Sequence, residues 1–321
     1  MAQEMEICGM RFLITGISGF VGQYLARLLV ATGHEVFGLC RQLPVEKLFN
    51  VSYIKGDITN VDDKSVDLLK SFQFDGVFHL AALTHPPSSF EAPVSYFETN
   101  ALGTASFSRA FENRCCFMHC STPEVYGICP EEEIFETQPM NPMNPYGVSK
   151  AAADLYLLER FRNAQLSGFI TRAGSHTGAG RPECYSISSD AAQIARIKKG
   201  LQDPVIKVGN LSSRRAVIDV RDVVQGYFYL MMSFIDGKIK NGDIFHVADN
   251  RAYSMDWYLD LMLNIAKVKA EKVIDPKLIR PIDIPVQVLN SDKIKQVIGW
   301  ESKIPIEDTL KGLLNYWMER A

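Results

Sequence analysis

Apolar residues along the chain fall into two kinds of run. Short and nearly unbroken runs occupy residues 11–15, 35–40, 51–55, 75–82 and 117–121, the pattern of strands buried on both faces of a parallel sheet. Between them the spacing becomes helical. Tyr24, Leu25, Leu28 and Leu29 share one stripe, a long segment over residues 94–111 forms a second, and residues 146–161, rich in helix formers, a third. Strand and helix alternating through about the first 170 residues predict an α/β fold with a doubly wound parallel sheet. Such sheets bind ligands outside the carboxyl ends of their strands. Thr15, Ala81, Thr122 and Arg172 are expected on that rim.

The first strand runs into Gly16, Gly19 and Gly22, spaced G-x-x-G-x-x-G, with Ser18, Phe20 and Val21 completing the turn. Strand, glycine turn and helix in that order bring backbone N–H groups to a pyrophosphate, so this is the expected dinucleotide site. After the second strand comes Cys40 and then Arg41, where an acidic residue would serve the ribose of NAD(H). An arginine there suits a 2′-phosphate and favours NADP(H) over NAD(H). Asp57 and Ile58, ending the third strand, are placed at the adenine. Leu80, Ala81 and Ala82 end the fourth, where small residues let the backbone approach a ligand closely.

Candidate chemistry centres on Tyr146 and Lys150, one turn apart on a helix that starts near Pro145. A phenol beside an ammonium moves a proton to or from a carbinol oxygen near neutral pH, because the positive charge favours the phenolate. Thr122 and Glu124 follow the fifth strand. The short proline-rich stretch 138–145 is expected as a loop over the active site.

The 321 residues are 47% hydrophobic and 22% charged with a net charge of −3, which describes a globular protein with an ample core and gives no reason to expect nucleic acid. Cys115, Cys116 and Cys120 lie on an apolar run without C-x-x-C spacing, so they read as buried thiols rather than a metal site. The apolar run 227–235 is too short to span a bilayer, and residues 1–9 lack a secretory pattern. A cytoplasmic enzyme is the expectation.

Thr15 with the three glycines, Asp57, the His79–Ala82 run, Asn100, the run from Ser121 to Gly127, and the Tyr146/Lys150 pair together resemble the extended short-chain dehydrogenase/reductases that act on nucleotide sugars. The resemblance implies a Rossmann domain over residues 1–172 plus about 217–250. It implies a smaller C-terminal α/β domain for the nucleotide sugar, over about 173–216 plus 251–321. It further implies Thr122, Tyr146 and Lys150 as the catalytic triad, with Lys150 also gripping the nicotinamide ribose, and Asn100 and Arg172 among the cofactor residues. Segments 94–111 and 146–161 would pair across a two-fold axis as a four-helix bundle, giving a homodimer.

Residues 204–211, Arg215, 219–224, 275–285 and Gly299-Trp300 are similar to GDP-4-keto-6-deoxy-D-mannose reductases and to GDP-mannose 4,6-dehydratases. On that similarity Arg215 and Arg280 meet the substrate pyrophosphate and Asp283 the nucleoside ribose. Thr84, Ser175 and His176 belong to the substrate side. Ala173, Ser175 and Ala216 stand where relatives usually carry Pro, Asn and Asp, which leaves the sugar open. Two chemistries compete. Reduction at C4 is preferred; a 4,6-dehydratase would use Glu124 as the base at C5. Pro123, between Thr122 and Glu124, cannot serve as the acid some dehydratases place there. A catalytically silent binding relative is the reading from another class, and the intact triad argues against it.

Overall fold

The computed structural model describes residues 9–129 and 133–321. In chain order the strands are β1 (Arg11–Thr15), β2 (Glu35–Cys40), β3 (Val51–Lys55), β4 (Gly76–His79), β5 (Cys116–Ser121) and β6 (Ser167–Ala173). Four short ones follow: β7 (Ser175–Thr177), β8 (Val205–Val208), β9 (Arg214–Arg215) and β10 (Val217–Asp219). The last are β11 (Ile244–Val247), β12 (Tyr253–Ser254), β13 (Glu271–Ile274) and β14 (Val286–Gln287). Seven of them form one parallel sheet in the order β11-β6-β5-β4-β1-β2-β3. The order reverses beside β1, the switch point at which open α/β sheets hold their ligands.

Each face of this sheet carries its own apolar layer. On one face the Leu25, Ala26 and Leu29 side of α1 (Phe20–Ala31) meets α8 (Val220–Ile235). On the other, α2 (Asp63–Ser71) and α6 (Pro145–Arg162) cover Leu13, Val77, Phe117 and Ile170. Leu157 and Phe161 of α6 are buried there, each worth about 1.5–3 kcal/mol of transfer free energy. Helix α6 starts where proline predicts. Asn144 caps it, accepting from Gly147 N at 2.7 Å, and Pro145 takes the first turn.

Segment 94–111 is helical but not one helix. After α3 (Pro86–Glu91) come α4 (Pro93–Phe97), a π-helical turn Glu98–Gly103, α5 (Thr104–Ser108) and a 3₁₀ turn Arg109–Phe111. The wide turn sits where Asn100 points inward and Thr104 Oγ1 donates to Asn100 O at 2.7 Å. Such insertions accompany functional sites more often than regular helix does.

A second core lies outside the sheet. Ile187 and Ile194 of α7 (Ser186–Lys198), Leu259 and Met262 of α9 (Met255–Ala266), and Leu310 and Leu313 of α11 (Ile306–Met318) pack with Ile206 of β8. The remaining helix, α10 (Asp292–Ile298), sends Ile294 into the core under α8. Asp219 ties the two cores together. It caps α8 through Arg221 N at 2.8 Å and accepts from Thr309 Oγ1 of α11 at 2.8 Å. No helix among the described residues is long and apolar enough to cross a membrane.

Candidate active site

The glycine turn is built by close approach. Gly16 adopts φ +70°, and a Cβ there would lie 3.0 Å from Ala81 N; at Gly22 it would lie 2.4 Å from Gly16 O. A side chain at either position would push the turn off the strand ends. Gly19, the N-cap residue of α1, has no side chain to bond the first helical amides, so they stay available to a phosphate.

A fully directed chain of hydrogen bonds holds the β4 end over this turn. Thr104 Oγ1 spends its proton on Asn100 O, so it accepts from His79 Nε2–H at 3.0 Å. His79 Nδ1 then accepts from Thr15 Oγ1 at 3.0 Å, and that oxygen accepts from Leu80 N and Ala81 N at 3.1 and 3.0 Å. Burial, with Lys150 adding to it, pushes His79 down to about 3, which keeps it the neutral link this chain requires.

Thr122 opens a 3₁₀ turn Pro123–Val125 and accepts from Glu124 N at 3.3 Å. Gly127, at φ +65°, closes the corner against residue 141, and Asn141 N donates to Val125 O, so the 138–145 loop lies beneath the Thr122 turn. Glu124 Oε2 accepts from Asn144 Nδ2 at 2.7 Å, which latches that turn to the start of α6.

Tyr146 and Lys150 are both buried, with Tyr96 edge-on to the Tyr146 ring at 6.3 Å. Burial raises the Tyr146 phenol well above its ordinary range, and a hydrogen bond with Thr122 opposes that. The expected lowering of Tyr146 by Lys150 is not what the structure displays. The lysine is turned into the sheet, donating to Cys120 O at 2.7 Å and His119 Nε2 at 3.1 Å, so desolvation dominates the phenol.

Two expected cofactor residues are occupied elsewhere. Asn100 spends its amide on Leu83 N, Leu83 O and Ser149 Oγ, pinning the loop after β4 to α6. Arg172 is buried, donates to Asp154 through Nε and NH2 at 3.0 Å each, and to Tyr126 Oη at 2.7 Å. Tyr126 in turn donates to His246 Nε2 at 2.7 Å, since His246 Nδ1 donates to Asn290 O. Both residues are buried and brace the rim from behind.

The other positions divide cleanly. Arg41 is exposed and forms no ion pair among the described residues. Asp57 folds back on Thr59, accepting from its N and Oγ1 at 3.0 and 2.8 Å, and the Ile58 side chain enters the core. On the substrate side Arg215 is buried with its NH2 3.4 Å from Asp283 Oδ1, and Asn210 donates to the other Asp283 oxygen at 2.7 Å. Arg280, half-buried, has no ion pair among the described residues. Thr84 Oγ1 meets Tyr185 Oη at 2.8 Å, Ser175 pairs with Val217 across β7 and β10, and the His176 ring lies parallel to Phe20 at 6.3 Å.

A model of the family described as GDP-mannose 4,6 dehydratase matches residues 13–313. The chain belongs to that family. Among curated relatives, the GDP-6-deoxy-D-mannose reductase of Pseudomonas aeruginosa is 30% identical over 97% of this chain and 98% of that protein. The GDP-mannose 4,6-dehydratase of Yersinia enterocolitica is 25% identical over 92% of this chain and 90% of its own. Among solved structures, RMD from Pseudomonas aeruginosa complexed with NADPH superposes with a TM-score of 0.81 at 28% identity, covering 98% of this chain and 99% of that one. The Thermus thermophilus UDP-glucose 4-epimerase complex with NAD gives 0.83 at 25% identity, covering 96% and 99%.

In this member of the GDP-mannose 4,6-dehydratase family the sequence reading missed Arg181. Its guanidinium lies 3.6 Å over the Tyr185 ring and 5.2 Å over the Phe20 ring, at the junction of glycine turn and substrate side. It forms no ion pair among the described residues, and burial depresses its pKa. The Arg181 guanidinium packs against the Tyr185 ring with no carboxylate partner among the described residues. Its one sequence signal was position, directly after Gly178 and Gly180 at a strand end.

Proposed function

We propose that this protein is an NADP(H)-dependent reductase that converts the C4 carbonyl of a GDP-4-keto-6-deoxyhexose of the mannose type into the alcohol. One observation carries the reading: Tyr146 is a buried phenol, hydrogen-bonded with Thr122 at the carboxyl edge of the sheet, and its burial favours the protonated form. The full-length likeness to a GDP-6-deoxy-D-mannose reductase supports it, as does the NADPH complex of the similar structure. NADPH, when bound, supplies the hydride. The first turn of α1 and Arg181 hold its phosphates, and Arg41 takes the 2′-phosphate. Thr122 positions the C4 oxygen, and Tyr146 gives it a proton. Arg215 and Arg280 hold the substrate pyrophosphate, with Asp283 at the ribose.

Glu124 separates reduction from dehydration. A dehydratase needs that carboxylate as a base at C5, whereas here Asn144 engages it at 2.7 Å in the latch between the Thr122 turn and α6. Glu124→Gln keeps an acceptor for Asn144, so C4 reduction is expected to stay within about tenfold of wild type, no catalytic proton transfer having been lost. The mass of the products formed from GDP-mannose and from its 4-keto-6-deoxy derivative checks this. A 4-keto-6-deoxy product from GDP-mannose, abolished by Glu124→Gln, would establish the dehydratase instead.

The same reading includes a homodimer. Val94, Leu102, Val148 and Leu155 are 67%, 55%, 45% and 57% exposed on the helical segments 93–108 and α6. Two-fold pairing would bury this apolar face as a four-helix bundle.

A further inference from the structure

Lys150 has three N–H bonds to place, and two of them are used inside the sheet, on Cys120 O and His119 Nε2. An ammonium only donates, so His119 Nε2 must be unprotonated and the ring proton sits on Nδ1. His119 Nδ1 is buried without a partner. Leaving a buried donor without a partner is unfavourable, and the contact with Lys150 is kept despite it.

The surroundings isolate this contact. From α6, His119 faces Lys150 and Asp154; from β4, the His79 ring stacks on it at 5.6 Å; from β6 comes Arg172. Asp154 commits one oxygen to Arg172, and the other lies 3.6 Å from His119 Nε2 with no hydrogen bond. Asp154 pairs with Arg172 and also favours the Lys150 ammonium through space. Among the described residues no carboxylate reaches ion-pair distance of Lys150, so a carbonyl and an imidazole are its hydrogen-bond partners.

We propose that His119 is a positioning residue for the reaction, accepting from the Lys150 ammonium so that the lysine stays charged and aims its third N–H out of the sheet toward the cofactor ribose and Tyr146. This rests on the reductase reading proposed above and on the ribose-gripping role the family resemblance implies for Lys150. His119 touches no substrate and exchanges no proton with it; it acts through the lysine. A side chain that accepts at the same point does the same work, whereas an apolar one of similar volume does not.

The test pairs His119→Leu with His119→Gln in the full chain. Turnover is followed against pH with NADPH and the 4-keto-6-deoxy substrate, and Lys150 itself is titrated by NMR in protein carrying ¹³C at lysine Cε. Losing an acceptor disfavours the ammonium, so in His119→Leu the Lys150 titration and the alkaline limb of kcat should both move down by roughly 1–2 pH units, with kcat about tenfold lower or more. His119→Gln, whose amide oxygen accepts, should restore both to near the wild-type positions. A Lys150 titration unmoved in His119→Leu overturns the proposal, as does equal damage by both variants with that titration unchanged, the result a purely structural role gives. If the wild type reduces no GDP-sugar yet the titration moves as expected, the His119–Lys150 coupling stands and the proposed substrate falls.

Discussion

At the scale of single residues, what a side chain can do here depends on whether its polar atoms are already used. Tyr146, Lys150 and Thr122 were legible in the sequence because helix period and strand order leave them little choice of place. Asn100 and Arg172 are harder to read, because a polar residue at a strand end or in a helix looks alike in sequence whether it faces a ligand or the interior. Here Asn100 closes on Leu83 and Ser149, and Arg172 on Asp154. Arg181 was invisible because its role comes from Phe20 and Tyr185 meeting around it across the fold. Arg41, exposed and without an ion pair among the described residues, is free to meet a 2′-phosphate. Arg41→Ala should weaken NADPH binding about 10- to 100-fold, the worth of charge-assisted hydrogen bonds, and leave NADH binding nearly as it was. Fluorescence titration with both cofactors checks it, and an unchanged NADPH affinity would remove Arg41 from the site.

At the scale of elements, unbroken apolar runs placed the first five strands of the large sheet to within a few residues, since burial on both faces leaves a continuous apolar run. Segment 94–111 came out less regular than its pattern. Apolar spacing records which face is buried and carries no mark of a π turn such as the one around Asn100. The two- and three-residue strands around Arg215 were likewise below the reach of periodicity. Helix α6 has two duties, one face carrying Tyr146 and Lys150 and another exposing Val148 and Leu155. Leu155→Glu places a charge in the proposed two-fold seam and none in the core. Sedimentation should then show a dimer for wild type and a monomer for the variant, with the monomer's melting temperature near or below that of the dimer. A wild type that is monomeric at micromolar concentration would contradict the seam.

At the scale of the molecule, two cores hold one site between them. The sheet supplies the glycine turn, Thr122, Tyr146 and Lys150, and the region packed around α7, α9 and α11 is joined to it through Asp219 and Thr309. Family membership was readable from motif order because close backbone approach and proton transfer constrain glycine, tyrosine and lysine spacing strongly. The sugar was not, because hydroxyl recognition depends on side chains gathered from loops distant in sequence. The central claim is that this assembly delivers a hydride and the Tyr146 proton to a C4 carbonyl. The most direct measurement is the stoichiometry of NADPH consumed per GDP-4-keto-6-deoxymannose converted, for wild type and Tyr146→Phe. One NADPH per alcohol formed is expected, with Tyr146→Phe slower by roughly 10²–10⁴ and its cofactor affinity nearly unchanged. Conversion without net NADPH consumption, or full turnover in Tyr146→Phe, would contradict it.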